Sequence, residues 1–481
     1  MEMTKLHTDK FYIHGQWVAP AGALWKDVVN PSTELVIARV AMGGLEDVDR
    51  AVQAARRAFI SYSQSDRNTR VALLSRIAET YKRRMQEIAD IMTEEVGVPR
   101  DPSLNIQAKF GLMHLEQAIA ALQQFEFDSL RGSTMVTHEP IGVCGLITAW
   151  NFPMILTVCK VAPALAAGCT VVLKPSELAP LCGAWFADVL DEAGVPPGVF
   201  NLVQGDGETV GTALCRHPEV DMISMTGSTR AGIQIAKTAA DSVKRVTQEL
   251  GGKSANILLE DADFDAAVPK GILGCFRNSG QSCSAPTRML VPRKRLDDVA
   301  RIAKEVAEAI VVGDPVDART VLGPVANRPQ YEKVQRMLQQ ALDEGAQLVT
   351  GGVGRPDGVE KGFFVKPTVL ICQPDTTVAR EEVFGPVLAV IAYDTDEDAI
   401  RIANDSRFGL GGYVQSADQA RARNVARRLR TGTVNVNYPG ADLSVPFGGY
   451  KQSGNGREYG AFGLMEYLET KSIIGYGADA T

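Results

Sequence analysis

Two side chains with complementary chemistry lie in glycine-rich segments of this chain. Cys283 stands in Asn278-Ser-Gly-Gln-Ser-Cys-Ser-Ala, and Glu249 stands upstream in Gln248-Glu-Leu-Gly-Gly-Lys. A substrate can approach such segments closely because glycine has no side chain. A thiolate attacks carbonyl carbon, and a nearby carboxylate can activate the water that completes the reaction. The two residues therefore predict an enzyme with a cysteine nucleophile and a glutamate base.

The other cysteines do not share this polar, glycine-rich setting. They lie among aliphatic or small residues, which is typical of cysteines that pack in a core. They show no Cys-x-x-Cys spacing, and no Cys/His cluster has the spacing of zinc ligands, so we expect no metal. These packing cysteines are Cys144, Cys159, Cys169, Cys182, Cys215, Cys275 and Cys372.

Length and charge bound the class of protein. A chain of 481 residues is long enough for two or three domains. An apolar content of 45% and a charged content of 22% are ordinary for globular proteins. The formal net charge of −7 argues against binding to a nucleic-acid backbone, which normally requires a basic face. We therefore expect a small-molecule partner and no nucleic acid.

The sequence also bears on the cellular compartment. The scattered cysteines fit a protein of a reducing compartment better than a secreted protein with a disulfide framework. The segment Met1 to Trp17 lacks the apolar core of a signal peptide. The most apolar stretch, Ile141 to Leu173, is interrupted by Asn151, Pro153 and Lys160, which leaves pieces shorter than the ~20 residues of a membrane helix. We expect a cytoplasmic protein that does not bind a membrane.

The spacing of apolar residues predicts an α/β fold. Helical patterns come first, over Leu45 to Ala58, Arg67 to Val96 and Leu112 to Phe125. Gly132 to Glu139 then alternates like an exposed strand or hairpin. Four strands and four helices alternate from Ile141 onward, which predicts a parallel, doubly wound sheet. A second block of the same style follows Gly252, with a helix over Phe264–Ser279 ending just before the thiol. We expect Glu249 to Lys253 to join the two domains, with the base and the thiol on facing sides of a cleft.

Three segments are candidates for binding a dinucleotide. Gly205 to Gly211 follows a strand, but its last two glycines stand one residue too far apart for the Rossmann fingerprint. Thr226-Gly-Ser-Thr229 opens a helix and can bind a pyrophosphate, although an ordinary helix cap explains it equally well. Lys174 and Glu177 follow a strand end where a ribose would lie. The Glu177 carboxylate would repel a 2′-phosphate, which favours NAD, with NADP still possible.

Seven segments together resemble the aldehyde dehydrogenase superfamily of the non-acylating, NAD(P)-dependent type. The similarity runs from about residue 10 to about residue 470, and the order of the segments makes it specific. They are Trp150-Asn-Phe-Pro153, Lys174-Pro-Ser-Glu177, Thr226-Gly-Ser-Thr229, Gln248-Glu-Leu-Gly-Gly-Lys253, Gly280-Gln-Ser-Cys283, Glu381-Glu-Val-Phe-Gly-Pro386 and Pro446-Phe-Gly-Gly-Tyr-Lys451.

The resemblance implies an α/β subunit of two doubly wound parallel-sheet domains and a small β oligomerisation element. Residues 1–121 and 141–251 would form the NAD-binding domain, and 252–450 the catalytic domain. Residues 122–140 and 451–481 would bridge subunits in a homodimer or homotetramer. This use fits the exposed strand, because an uncovered strand edge invites pairing.

The resemblance also implies roles for individual residues. Cys283 would be the nucleophile and Glu249 the general base, while Asn151 would donate to the oxyanion with Lys160 nearby. The cofactor would contact Thr148, Trp150, Lys174, Glu177, Gly207, Thr226, Gly227, Ser228, Leu250, Glu382 and Phe384. The aldehyde would contact Phe152, Leu156, Cys159, Ser282, Ser284, Ala441 and Phe447.

The implied reaction is the oxidation of an aldehyde to its acid through a thiohemiacetal and a thioester. The mostly apolar lining favours a neutral aliphatic or aromatic aldehyde. Arg277 matches a carboxylate-binding arginine of succinate-semialdehyde enzymes, but Cys159 stands where those enzymes have a second one. We therefore interpret Arg277 as an ion-pair partner at a helix end.

Three alternatives remain at this stage. Members of the superfamily that transfer the acyl group to coenzyme A typically lack a glutamate at the position of Glu249. A thiol hydrolase would pair Cys283 with a histidine, but no histidine lies in a glycine-rich turn and a hydrolase leaves Lys174 and Phe384 unexplained. A catalytically silent binding or structural protein is disfavoured because Cys283, Glu249 and Asn151 are all present. The histidines are His7, His14, His114, His138 and His217.

Overall fold

The computed structural model describes residues 6–477, so the first five and last four residues of the predicted domain ranges lie outside it. The chain is an α/β protein built on two large sheets, each covered by helices. The predicted fold class is confirmed. Each sheet is mainly parallel, and antiparallel strands occur only at its edges.

The first sheet has eight strands, and its five central strands are parallel and almost wholly buried. These central strands include the four that the sequence predicts after Ile141. Their continuous apolar character follows from helices that cover both faces. In spatial order the strands are Gln16–Val18, Phe11–Ile13, Phe200–Leu202, Thr170–Lys174, Val143–Ile147, Met222–Thr226, Arg245–Glu249 and Gly454–Asn455.

The helices on this sheet include the three helical runs predicted at the start of the chain. The predicted helix Arg67–Val96 is two helices, because the chain leaves helical geometry at Arg84. The larger helices are Leu45–Tyr62, Arg67–Arg83, Met85–Val96, Lys109–Gln124, Pro153–Ala167, Pro180–Glu192 and Thr229–Ala239. Shorter helices are Arg100–Pro102, Thr212–Arg216 and Gly460–Met465, with single wide turns over Ser103–Ala108 and Gly207–Gly211.

The second sheet has seven strands, six of them parallel, with an antiparallel strand at one edge. In order they are Gln347–Thr350, Thr368–Ile371, Val387–Tyr393, Arg288–Pro292, Ala255–Leu258, Gly411–Gln415 and Thr433–Val436. Its helices are Phe264–Phe276, Leu296–Glu308, Arg328–Asp343, Thr377–Arg380, Asp396–Asn404 and Gln419–Arg427.

The helix before the thiol is shorter than predicted. It ends at Phe276, and Asn278, Ser279 and Gly280 then adopt positive φ angles of 54°, 56° and 73°. Such left-handed geometry is unfavourable for residues with a Cβ, so surrounding contacts must maintain it. One of them is the Ser279 hydroxyl, which donates to the Gly323 carbonyl at 2.8 Å. The chain is thereby turned sharply just ahead of Cys283.

A separate three-stranded sheet contains the predicted exposed strand. Asp128–Arg131 and Thr134–Pro140 form a hairpin that turns at Gly132, and Leu468–Ile473 pairs with its second strand. The outer strand Leu468–Ile473 is exposed along most of its length. Two further pairs complete the strands: Leu24–Val29 with Val36–Met42, and Phe408–Gly409 with Tyr450–Lys451.

Separate buried clusters fill the layers around each large sheet. The largest surrounds the first sheet and includes Trp185, Phe186 and Phe200, whose side chains are fully buried. Within residues 6–477, no helix combines the length and the apolar character that crossing a membrane requires.

Candidate active site

Cys283 lies in a loop that packs directly on the segment after Glu249. A Cβ added to Gly252 would lie 2.2 Å from the Cys283 carbonyl oxygen, so only glycine fits there. Glu249 is the last residue of the strand Arg245–Glu249 in the first sheet, and it is buried. The structure therefore brings the two predicted catalytic segments into contact, as the expected junction between the sheets requires.

Asn151 is fixed beside this loop by a small hydrogen-bond network. Its side-chain Nδ2 donates to the Gln281 carbonyl at 3.1 Å, and Asn278 Nδ2 donates to the Asn151 carbonyl at 2.7 Å. Gln107 Nε2 in turn donates to Asn278 Oδ1 at 3.1 Å. An asparagine amide has two hydrogens, and the bond to Gln281 occupies one. The other can donate to an oxygen that develops negative charge near Cys283.

Glu249 is a carboxyl group without a hydrogen-bond partner among the described residues. Burial, followed by the nearby Glu458 carboxylate, raises its pKa well above the usual range, although Lys160 and Arg457 oppose this. Lys160 is fully buried and forms an ion pair with Glu458 Oε1, and its Nζ lies 3.3 Å from Ser224 Oγ. The sequence predicts that Lys160 lies near the oxyanion. In the structure its ammonium group belongs to a buried charge network with Glu458 that influences Glu249.

The electrostatic setting of Cys283 opposes its ionisation. Although the residue is half-buried, desolvation of its thiol is the largest cause that raises its pKa to about 12. Glu382 adds to this effect, followed by Glu249 and Glu458. The seven other cysteines are buried. Their position agrees with the predicted packing role.

The predicted phosphate segment lies where a strand meets a helix. Ser228 begins the helix Thr229–Ala239, and its hydroxyl accepts a hydrogen bond from Ala231 N at 3.2 Å. Thr226 Oγ1 is buried and has no partner within the described chain. A Cβ on Gly207, another predicted cofactor residue, would meet no described atom within 4 Å. An unpaired hydroxyl, a helix N-terminus and open space fit the phosphates of a dinucleotide.

Lys174 and Glu177 lie together at the end of the strand Thr170–Lys174. The Lys174 ammonium is buried and donates to the Pro175 and Gly205 carbonyls at 2.8 Å each, with Glu177 Oε2 at 3.5 Å. Glu177 is partly exposed, so its carboxylate is the group that a ribose can reach. Next to them, Thr148 is buried, and its N–H donates to the Lys174 carbonyl at 3.1 Å.

Three further predicted cofactor residues meet at the opposite side of the site. The rings of Trp150 and Phe384 pack edge to face, with centroids 5.5 Å apart. Phe384 has a positive φ of 61°, and Gln330 Nε2 donates to its carbonyl at 2.8 Å. Glu382 Oε1 accepts from Gly252 N at 2.9 Å, which joins this side to the Cys283 loop. Leu250 differs, because its side chain packs in the core against Gly232.

The predicted substrate residues come from separate segments of the chain. In the Cys283 loop, Ser282 Oγ and Ser284 Oγ are 3.5 Å apart, and Tyr413 OH donates to the Ser284 carbonyl at 3.0 Å. Phe152 precedes the helix Pro153–Ala167, which carries Leu156 and Cys159. Phe447 stacks on Tyr459 at a centroid distance of 5.0 Å. Ala441 is exposed in the loop before Phe447.

Arg277 does not behave as the sequence suggests. It is exposed just after the helix Phe264–Phe276 and forms no ion pair with any residue from 6 to 477. The interpretation as an ion-pair partner at a helix end is therefore wrong.

Sequence reasoning missed Glu458 and Tyr459. Both follow Gly456 and Arg457 in a short segment that reads as a surface turn, yet Glu458 is buried, with Cys159 Sγ 3.3 Å from its Oε2. Tyr459 adopts a positive φ of 73° and packs between Phe447 and His114. An acidic residue flanked by glycines, as at Glu249, is the signal that could have identified this segment.

No histidine takes part in the Cys283 cluster among the described residues. His138 bonds to the Phe127 carbonyl, His217 faces Asp49, and His114 contacts Tyr459. Groups of three His, Cys, Asp or Glu side chains suited to a metal ion do not occur within residues 6–477. Cys283 thus lies in a loop with an amide donor and the segment after a buried carboxyl beside it, and the predicted cofactor residues Lys174 and Thr226 end two parallel strands of the first sheet.

Comparison with known proteins agrees with this class of enzyme. The sequence model of the aldehyde dehydrogenase family matches residues 17–473. The chain is 52% identical to 3-succinoylsemialdehyde-pyridine dehydrogenase of a Pseudomonas species, over 97% of this chain and 98% of the relative. It belongs to the aldehyde dehydrogenase family, and the resemblance of its seven motifs is confirmed.

Solved structures show the same similarity. Aldehyde dehydrogenase C of Pseudomonas syringae, a cysteine-to-alanine mutant in complex with NAD+ and octanal, superposes with a TM-score of 0.98 at 52% identity, covering 99% of this chain and 98% of that one. An aldehyde dehydrogenase of Mycobacterium tuberculosis complexed with NAD+ gives a TM-score of 0.95 at 39% identity, covering 97% and 98%.

Proposed function

We propose that this enzyme oxidises a neutral aliphatic or aromatic aldehyde to its carboxylic acid, with Cys283 as nucleophile and Glu249 as general base. The observation that carries the proposal is the close packing of the Cys283 loop on Gly252, with Asn151 fixed beside it and Glu249 at the adjoining strand end. Nucleophile, amide donor and carboxyl thus converge on one small volume.

In the first step the Cys283 sulfur bonds to the aldehyde carbon, and the thiol proton leaves to solvent or a neighbouring base. The carbonyl oxygen becomes an alkoxide. The free hydrogen of the Asn151 amide and the backbone N–H of Cys283 can donate to it. A preorganised donor of this kind contributes about 2.7–4 kcal/mol to the transition state.

NAD is the dinucleotide of this aldehyde dehydrogenase, as in the solved relatives complexed with NAD+. Its nicotinamide supplies the hydride acceptor that converts the thiohemiacetal to a thioester. Thr226, Gly227 and Ser228 would bind the pyrophosphate. Glu177 would bind the adenosine ribose, where its charge disfavours a 2′-phosphate without excluding NADP.

The nicotinamide end would lie at the opposite side of the groove. We propose that Glu382 contacts the nicotinamide ribose and that the Trp150 and Phe384 rings enclose the nicotinamide. Their edge-to-face packing supports this role because it fixes both rings before a ligand arrives. Thr148 and Gly207 complete the groove, while Leu250 supports it from the core.

In the last step a water adds to the thioester carbon while a base removes its proton. Glu249 is the carboxyl placed for this, once it has lost its own proton. Lys160 and Arg457 favour that ionisation, and Glu458 opposes it. The buried pair Lys160–Glu458 therefore adjusts how readily the base forms, and the thiol of Cys283 leaves as the acid is released.

The apolar lining supports a neutral aldehyde. Phe152, Leu156, Phe447 and Tyr459 surround the reacting side, and the carboxylate of Glu458 next to Cys159 would repel an anionic substrate. The octanal bound to the Pseudomonas syringae relative is an aldehyde of this neutral class. Discrimination between apolar chains is modest, since each methylene changes it by ~1–3 kcal/mol.

We also propose the subunit organisation that the sequence implies. Residues 1–121 and 141–251 would bind NAD, 252–450 would form the catalytic domain, and 122–140 with 451–481 would bridge subunits of a cytoplasmic homodimer or homotetramer. The exposed outer strand Leu468–Ile473 supports pairing between copies. Gly454–Asn455, however, adds to the first sheet, so part of the last segment belongs with that domain.

The test measures turnover of the purified protein with NAD or NADP and a panel of aliphatic, aromatic and acidic aldehydes. The absorbance of the reduced cofactor reports the rate. Cys283→Ala should abolish turnover. Cys372→Ala is the matched control, because Cys372 is a buried cysteine in the core of the second sheet. Glu249→Gln should give one burst of reduced cofactor and then stall. Turnover that requires added coenzyme A would show that the enzyme transfers the acyl group to coenzyme A and does not hydrolyse the thioester.

A further inference from the structure

Gln107 is a buried amide that is connected to the proposed oxyanion donor through one intermediate residue. It is 2% exposed and belongs to the wide turn Ser103–Ala108. Its Nε2 donates to Asn278 Oδ1 at 3.1 Å, and Asn278 Nδ2 donates to the Asn151 carbonyl at 2.7 Å. The three residues form a chain of hydrogen bonds that ends at the residue whose amide would stabilise the alkoxide.

The direction of each hydrogen bond in this chain is fixed by its far end. The carbonyls of Asn151 and Gln281 can only accept, so the Asn278 amide must turn its Nδ2 toward them. The Oδ1 of Asn278 then faces Gln107, which must present a donor. The Gln107 Oε1 is left without a hydrogen-bond partner among residues 6–477. A side chain that cannot donate therefore cannot replace Gln107 in this contact.

The turn that carries Gln107 is held firmly on both sides. Ser103 Oγ donates to the Ala89 carbonyl at 2.7 Å, and Tyr81 OH donates to the Ala108 carbonyl at 3.0 Å. Both of these hydrogen bonds are buried. Wide turns of this type occur frequently at functional sites. A residue that orients a partner side chain needs a rigid support, and this turn provides one.

Asn278 is the strained link in the chain, with a positive φ of 54°. The backbone N–H and the Nε2 of Gln281 donate to its carbonyl at 3.0 and 3.1 Å, which stabilises its backbone. Within the described residues, the side-chain oxygen of Asn278 accepts only from Gln107. Loss of this bond frees the Asn278 amide to rotate, and its Nδ2 then leaves the Asn151 carbonyl.

We propose that Gln107 is a positioning residue for aldehyde oxidation, because it orients Asn151 through Asn278. The inference rests on the proposed function and adds to it a residue that does not touch the substrate. The alkoxide forms only as the Cys283 sulfur bonds to the aldehyde carbon, so its stabilisation belongs to the transition state. A change at Gln107 should therefore alter kcat and leave KM unchanged.

The test measures kcat and KM of the full-length enzyme with saturating NAD and the aldehyde of the panel that the wild type oxidises fastest. Gln107→Leu removes the donor. Gln204→Leu is the matched control, because Gln204 is also 2% exposed, donates one hydrogen bond, to the Pro180 carbonyl at 2.8 Å, and has an unpaired Oε1. Urea unfolding should show a similar loss of stability in the two leucine variants.

We expect Gln107→Leu to lower kcat by about tenfold with KM unchanged, as the loss of one orienting hydrogen bond predicts. Gln204→Leu should keep the kcat of the wild type. Gln107→Glu provides a second test that keeps a polar side chain, since its carboxyl can donate to Asn278 only while protonated. Its kcat relative to the wild type should rise as the pH falls. Wild-type kcat in Gln107→Leu, or an equal loss in Gln204→Leu, would overturn the inference.

A double-mutant cycle with Asn151→Ala identifies the route of the effect. If Gln107 acts through Asn151, Gln107→Leu should cost nothing further once the Asn151 amide is absent, so the double variant should match Asn151→Ala. A further loss of about tenfold in the double variant would overturn the inference while leaving the oxyanion role of Asn151 intact. Wild-type kcat in Asn151→Ala would overturn that role, and a wild type that oxidises no aldehyde would overturn the proposed function itself.

Discussion

Glu249 provides a prediction about stability that does not depend on a substrate. The carboxyl is buried, both oxygens lack a partner within the described chain, and its pKa is raised well above the usual range by burial and then by Glu458. The folded protein therefore retains this proton at a pH where the unfolded chain has released it. We predict that Glu249→Gln, which keeps the shape and removes the ionisation, stabilises the protein increasingly as pH rises.

The size of this difference in the free energy of unfolding follows from the linkage between proton binding and folding. Below the ordinary carboxyl pKa of about 4.3, both states are protonated and the stability contribution is fully present. Above it, the wild type loses about 1.4 kcal/mol per pH unit relative to the variant. The loss continues until the pH reaches the raised folded pKa and is constant beyond it. Two pH units inside that window therefore separate the proteins by about 2.7 kcal/mol.

Urea unfolding of wild type and Glu249→Gln, followed between about pH 5 and about pH 8, measures this difference. Glu208→Gln is the matched control, because Glu208 is exposed and stays in water in both states. The control should unfold with the same pH dependence as the wild type. A gap between Glu249→Gln and wild type that does not change with pH would refute the reasoning, since it would mean that Glu249 ionises equally in both states.

Three other changes have defined outcomes. Asn151→Ala should lower kcat by about 10²–10³, the loss of one oxyanion donor, with cofactor binding retained in a fluorescence titration. Lys160→Met should destabilise the fold by about 3–5 kcal/mol, because it leaves Glu458 buried without its cation, and Lys160→Met with Glu458→Gln should recover part of this in urea unfolding. Glu177→Gln should raise the ratio of kcat/KM for NADP to that for NAD by about tenfold, since one repelling charge is removed; an unchanged ratio would dissociate Glu177 from cofactor choice.

The central strands were predictable because their burial is complete. Val143–Ile147, Thr170–Lys174 and Met222–Thr226 are continuous apolar runs that only a sheet covered on both faces can bury. The antiparallel strands at the edges were not, since Phe11–Ile13 and Gln16–Val18 have only three residues each. So short a run carries no periodicity, and its pairing depends on neighbours far along the chain.

The turn before Cys283 shows a different limit of sequence reasoning. Phe264 to Ser279 has the pattern of one helix, but Asn278 and Ser279 adopt left-handed geometry. Local propensity opposes that geometry in residues with a Cβ. Tertiary hydrogen bonds to Asn151 and Gly323 stabilise it instead. Such contacts join distant segments and leave no mark on the local sequence.

The candidate site was only partly predictable, because some of its residues also take their positions from contacts between distant segments. Cys283 and Glu249 stand out because a reactive side chain among glycines is unusual, whereas Glu458 lies in a segment that resembles an exposed turn. Its burial follows from the Phe447–Glu458 bridge, in which each backbone N–H donates to the other's carbonyl at 2.9 and 2.7 Å. Only the folded chain shows that this carboxylate faces Lys160 and influences the ionisation of Glu249.

The charges around Cys283 have a consequence for the order of events. Burial of the Cys283 thiol, followed by the charge of Glu382, raises the pKa of the sulfur, so the protonated form is favoured in the absence of a nearby cation. A positive charge placed beside the sulfur reverses this balance, and the oxidised nicotinamide ring carries one. A nicotinamide ring bound beside the sulfur would therefore favour the thiolate. Electrostatics alone thus favours cofactor binding before attack on the aldehyde.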